Sequence, residues 1–144
     1  MVRHKNRYLL VELNWEDGKG SMNVPFRSLV DVLKEAVRQH FGDFGSAHVV
    51  KSLQCKLALP EVDLCVLRAG MESHRVVWAA LSLLNALGKR AVTLRVVGVS
   101  GSARTSRTAA VAHLRALEAA MPAAERRAVD WAGLAVRAST ELMP

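Results

Sequence analysis

The first apolar run of the chain, Tyr8 to Trp15 (YLLVELNW), combines aromatic and branched side chains with a single acid. That mixture predicts a central strand with one partly polar face. DGKGSMN then breaks the run, with Gly18 and Gly20 supplying turn chemistry. Beyond Pro25, the residues Phe26, Leu29, Val30, Leu33, Val37 and Phe41 recur at helical spacing, while Arg27, Lys34, Glu35, Arg38 and Gln39 fall mainly on the other side. The stripe predicts an amphipathic helix capped by Asn23, with Pro25 in its first turn and Gly42 as its stop.

The period then changes. In HVVKSLQCKLAL, Val49, Leu53, Cys55 and Leu57 alternate with His48, Ser52, Gln54 and Lys56, interrupted by Lys51. This predicts a strand, joined through Pro60 to a second strand, VDLCVLRA, as a hairpin. MESHRVVWAALSLLNALG returns to helical spacing through Val76, Val77, Ala80, Leu81, Leu84 and Leu87, with Ser73 as a cap and Gly88 as a stop. In KRAVTLRVVGVS, Val92, Leu94 and Val96 alternate with Thr93, Arg95, Val97 and Val99.

Strand, helix, strand, strand, helix, strand is the order of an α+β, ferredoxin-like (split βαβ, RNA-recognition-like) sandwich, with two helices on one face of a four-stranded antiparallel sheet. A doubly wound dinucleotide fold would need more strands and a parallel order without the hairpin. Residues 103–121 predict a third helix with Val111, Leu114, Leu117 and Met121 as its stripe, and a less regular fourth follows Pro122. Residues 1–121 therefore read as a ferredoxin-like RNA- or protein-binding domain, and 122–144 as a C-terminal extension, either helix or tail. Some of this material should cover a sheet edge or the open sheet face.

A length of 144 residues suits one core, with about 70% of the extended surface buried on folding. The net charge of +7 changes the picture more. It points to an anionic partner, either nucleic acid or an acidic protein surface. Cys55 and Cys65 lie inside apolar runs and read as free buried thiols in a reducing compartment. There is no secretion-type apolar start, and no uncharged apolar span reaches about 18 residues, so cytoplasm or nucleus is expected and no membrane.

No metal site is expected, because His4, His40, His48, His74 and His113 never occur at close pair spacing and the two cysteines stand ten residues apart. No catalytic residue is expected either: Glu12, Glu61, Asp63 and Glu72 lack the paired spacing of a two-metal centre, and Glu12 is the acid to check for burial. GKGS reads as a turn rather than a phosphate loop. Gly98, Gly101 and Ser102 follow a strand and precede a helix, where backbone N–H groups can receive an anion beside Arg104 and Arg107; a plain connection is the alternative.

Lys89, Arg90, Arg95, Arg104 and Arg107 fall within nineteen residues that hold no acid, and Arg3, Lys5 and Arg7 precede the first strand. If the first and last strands are neighbours, the two groups merge into a basic patch suited to phosphate contacts rather than base discrimination. Tyr8 lies on the first strand but VDLCVLRA carries no aromatic, so base stacking on the sheet is not expected. Trp78 reads first as core, with a partner contact as the alternative, whereas Trp131 in the tail is a candidate contact to another chain.

The opening VRHKNRYLLVEL, the FGDFGSA turn, the VVWAAL helix and the final RVVGVSGSARTSR occur in an order and spacing that resemble the small protein subunit of ribonuclease P and ribonuclease MRP, the Pop-five type, from about Met1 through Arg107. The resemblance implies a noncatalytic RNA-binding scaffold in a ribonucleoprotein whose RNA hydrolyses phosphodiesters with divalent metal, Mg2+, bound in the RNA; the chain itself would bind no cofactor. Precursor tRNA is the implied substrate of the assembly, with rRNA precursors for the MRP particle. The implied partners are the ribonuclease P/MRP RNA, a TIM-barrel-like protein subunit of about thirty kilodaltons and further protein subunits, and the implied location is the nucleus, in the nucleolus.

Carried over by residue, the resemblance gives Arg3, Lys5, Arg7 and Tyr8, then Arg95, Gly98, Ser100, Gly101, Ser102 and Arg104, as RNA contacts, with Arg107 adjoining them. It gives His74 and Arg75 as protein-partner contacts on the helix that holds Trp78, and Phe44 and Gly45 as structural support. The alternative function is a protein-only adaptor that docks a larger subunit without touching RNA.

Overall fold

The hairpin expected around Pro60 is present, and its second strand sits beside the first strand of the chain. The computed structural model describes residues 5–21 and 24–142, without the side chains of Phe44 and Gly45. Arg3 and the expected cap Asn23 lie outside the described residues, as do the side chains expected to give structural support at 44 and 45. The strands are β1 (Asn6–Trp15), β2 (Gln54–Leu59), β3 (Leu64–Gly70), β4 (Ala86–Leu87) and β5 (Arg90–Ser100), in the spatial order β2-β3-β1-β5-β4. Every pairing is antiparallel. This is the ferredoxin-like order with one short strand added at the β5 edge.

Because side chains alternate across a strand, β1 feeds two cores. Leu9, Val11, Leu13 and Trp15 share one with Cys65, Leu67, Val92 and Leu94 and with helices α1 (Phe26–Ser52) and α2 (His74–Leu83). Leu10 points the other way, into a second core with Leu57, Leu59, Leu64 and Val66. That core is closed by α3 (Ala103–Ala120) through Ala110 and Leu114 and by α5 (Trp131–Glu141) through Leu134 and Ala138. Each fully buried leucine contributes about 1.5–3 kcal/mol relative to exposure, which is why an apolar second face recruits the C-terminal helices. Between them lies α4 (Ala123–Arg127). Asp130 caps α5 by accepting from the Gly133 N–H at 3.1 Å. Arg137 ties α5 to the hairpin by donating to Glu61 Oε1 at 2.9 Å and to the Ala58 carbonyl at 2.8 Å. No helix among the described residues is long and apolar enough to cross a membrane.

Several local expectations change. Gly42 kinks α1 instead of ending it, with φ 76° and ψ −179°, a region open essentially to glycine alone. The chain then resumes helix through Ser52, so His48 and Val49 are helical and β2 begins at Gln54. Cys55 pairs with Leu67 and Leu57 with Val66, a register shift that sends these two residues to opposite faces instead of one. Helix α2 stops at Leu83, and Ala86–Leu87 instead form β4, turning through Gly88 at φ 62° into β5. Ser73 precedes α2 without a side-chain cap bond; its hydroxyl donates to the Gly70 carbonyl at 3.4 Å.

Candidate nucleic-acid interface

The β1–β5 ladder ends on Tyr8 opposite Ser100, and this pairing assembles about half of the expected basic site. One residue outward, Arg7 lies against Gly101: a Cβ there would sit 3.6 Å from Arg7 Nη1. The guanidinium is therefore in ordinary packing range of this backbone, and Arg7 Nη1 also donates to the Asn6 carbonyl at 3.1 Å. Lys5 is exposed beside it, its carbonyl accepting from the Met71 N–H at 2.9 Å.

Ser102 then starts α3 with a reciprocal cap. Its Oγ accepts from the Thr105 N–H at 3.2 Å, while Thr105 Oγ1 accepts from the Ser102 N–H at 3.3 Å. The cap fixes the direction of the first turn, which carries Arg104 into solvent and holds Arg107 half-buried. Gly98 serves the ladder instead. It pairs with Leu10 at a bulge, after which Val11 pairs with Val96. Tyr8 is half-buried against the second core, so its ring is no open stacking platform.

The rest of the cationic run does not join this end. Arg95 lies on β5 opposite Glu12, exposed, and the acid is half-buried. Five residues of extended chain, about 17 Å, separate Arg95 from Ser100. Arg90 is about twice as far and is engaged locally. It donates to Asp17 Oδ2 at 2.9 Å, Asp17 Oδ1 at 3.0 Å and the Gly20 carbonyl at 2.8 Å, and its guanidinium stands 4.0 Å from the Trp15 ring centroid. The Arg90 hydrogen bonds, helped by the Lys19 N–H, lower the Asp17 pKa to about 2. Nineteen residues that form one cluster along the sequence therefore split between the two ends of a strand.

A second surface lies on the α1–α2 side. Val77, Ala80 and Leu81 bury one face of α2, which leaves Trp78 42% exposed rather than in the core. Met71, Leu83, Phe41 and Val50 are also exposed, and the helical stripe had assigned Phe41 to the interior. His74 donates through Nδ1 to the Met71 carbonyl at 2.6 Å, and Arg75 is exposed. Trp131 is used within the chain: its ring packs on the second core and Nε1 donates to the Arg126 carbonyl at 3.0 Å.

Burial raises the Cys55 thiol to about 11 and Cys65 well above the ordinary thiol range. Among the described residues no three His, Cys, Asp or Glu side chains converge as metal ligands.

The split βαβ sheet, covered by helices on both faces and carrying cations at the Tyr8–Ser100 end, defines a ferredoxin-like α+β protein. Within that class the chain belongs to the Rpp14/Pop5 family, whose sequence profile matches residues 7–111. It is 34% identical over 120 residues to the ribonuclease P/MRP protein subunit POP5 of Schizosaccharomyces pombe, covering 77% of this chain and 86% of that protein. A probable ribonuclease P/MRP protein subunit POP5 of Arabidopsis thaliana is 32% identical over 117 residues, covering 77% and 78%. The fold is also similar to a chain in the cryo-EM structure of yeast ribonuclease MRP, with a TM-score of 0.56 at 12% identity over 72% of this chain and 79% of that one.

Proposed function

We propose that this chain is a noncatalytic RNA-binding scaffold subunit of a ribonuclease P/MRP ribonucleoprotein, and that the Arg7–Arg104 end contacts the phosphate backbone of the particle RNA. The observation carrying this reading is the Tyr8–Ser100 pairing in an Rpp14/Pop5 chain: it brings Arg7, Gly101 and the capped start of α3 together, with Arg104 exposed. Lys5 adds charge there. Phosphate contacts of this kind position a protein on RNA without reading sequence.

In this reading the RNA performs the hydrolysis with its own Mg2+. The assembly matures the 5′ ends of precursor tRNA and, in an MRP particle, processes rRNA, in the nucleolus. The exposed α1–α2 surface around Trp78 and Arg75 docks a protein partner, the TIM-barrel-like subunit.

The test is equilibrium binding of the full chain to the large RNA of the native particle across a salt series. Arg7→Ala with Arg104→Ala should reduce the slope of log K against log salt by about 0.7 to 0.9 for each lost phosphate contact. An unchanged slope, with retained assembly, would leave the protein-only adaptor as the correct reading.

A further inference from the structure

Beyond the Arg7–Arg104 end, the flank of α3 that faces α5 forms a groove of about 590 Å³ lined by Arg107, Thr108, Val111, Ala112, Arg115, Ser139 and Thr140. No carboxylate is among these lining residues. We infer that this groove is a second binding site for the RNA phosphodiester backbone, continuing the path that begins at Arg7 and Arg104; the inference rests on the RNA-binding reading above.

Four observations carry it. Positions 104, 108, 112 and 115 follow helical spacing, so Arg104 and Arg115 lie on one side of α3 with Thr108 between them. The basic end and the groove are thus continuous along the helix. Arg107 and Arg115 stand about 12 Å apart along the axis, a span that a short run of linked nucleotides bridges and a single phosphate does not.

Arg115 is exposed, and no ion pair or hydrogen bond engages it among the described residues. Arg38, Arg90 and Arg137, by contrast, are each matched to an acid. Its charge therefore remains available to an external anion. The exposed hydroxyls of Ser139 and Thr140 can donate to phosphate oxygens and exchange hydrogen bonds with a ribose 2′-OH.

The test uses the full chain and a fluorescein-labelled RNA hairpin, with polyglutamate as the competing polyanion, across a salt series. Arg115→Ala should weaken hairpin binding and lower the salt slope by about 0.7 to 0.9, additively with Arg7→Ala/Arg104→Ala, while Arg115→Lys keeps the slope. Thermal melts of the Arg115 variants should match the parent, since Arg115 is exposed and no hydrogen bond or ion pair engages it.

An Arg115→Ala variant with unchanged affinity and slope would overturn the groove while leaving the Arg7–Arg104 reading intact, provided that the latter pair still lowers both. Wild-type chain that does not bind the hairpin, or binds it equally well in every variant, would overturn both readings. Loss of polyglutamate binding alone in Arg115→Ala would make the groove a protein-facing surface and contradict the inference.

Discussion

Tyr8 and Ser100 are the last paired residues of the β1–β5 ladder, and everything basic at that end of the molecule follows from their register. Ser100 is followed at once by Gly101 and by Ser102, which caps α3. Ser102→Ala removes the side-chain acceptor of the Thr105 N–H and the partner of its hydroxyl. The substitution should cost about 1 kcal/mol, seen as a lower urea midpoint. It should also weaken RNA binding by loosening the turn that presents Arg104. A variant as stable as the parent would show that the cap contributes nothing to the start of α3.

The second core makes the C-terminal helices part of the fold. Leu134 is 4% exposed and belongs to the second core with Leu57, Leu59, Leu64 and Leu114. Leu134→Ala should cost about 2–5 kcal/mol in urea unfolding with an unchanged m value. A cost near zero would mean that α5 is not docked on the sheet in solution.

Two tryptophans should separate stability from partner binding. Trp131→Ala loses a packed ring and the bond to the Arg126 carbonyl, at about 2–3 kcal/mol. Trp78→Ala should change stability by under about 1 kcal/mol. The same substitution should weaken titration against the protein subunits of the assembly by about tenfold or more, as truncation of an aromatic anchor does. Normal binding by Trp78→Ala would remove α2 from the interface.

Asp17 supplies a pH signature. Its carboxyl titrates near 2 in the fold against an ordinary value of 3.8, chiefly because of the Arg90 hydrogen bonds. A depressed folded value means the ionised form supports the folded state fully above the ordinary value, and that support is lost as pH falls through about 2. The stability difference between the parent and Asp17→Asn should therefore persist at neutral pH and close on acidification toward the folded midpoint. It should also shrink in high salt, since both partners are partly solvated. A difference that stays constant with pH would show that the pair is not formed.

The α+β class and the strand order were legible because β1, β3 and β5 are apolar runs bounded by turn residues; β5 alternates at its start, while β3 is apolar on both sides, as a central strand buried on two faces is. Shorter stretches were not. At His48–Ser52 the buried Val49 between exposed neighbours fits a strand edge as well as a helical turn, and the choice is made by Gly42, whose conformation lets the helix restart. Leu84–Leu87 continued the helical spacing of α2, yet the turn at Gly88 lets Ala86 and Leu87 pair with Ala91 and Arg90.

Half of the candidate site was readable for the same reason that β1 was. Arg7 and Arg104 lie next to the ends of strands whose adjacency the topology dictates. Arg90 and Arg95 were grouped with them by sequence distance, which an extended chain converts into physical separation. Arg115 carried no signal at all, since the groove exists only once α5 packs beside α3.

The central claim is that cations at the Tyr8–Ser100 end meet RNA in the assembled particle. Ultraviolet crosslinking of the native particle, purified through this chain and read by mass spectrometry, tests it most directly. Nucleotide adducts are predicted on the peptides that hold Tyr8 and residues 100–107. Peptides from that end crosslinked to protein alone, with nucleotide adducts confined to other subunits, would contradict it.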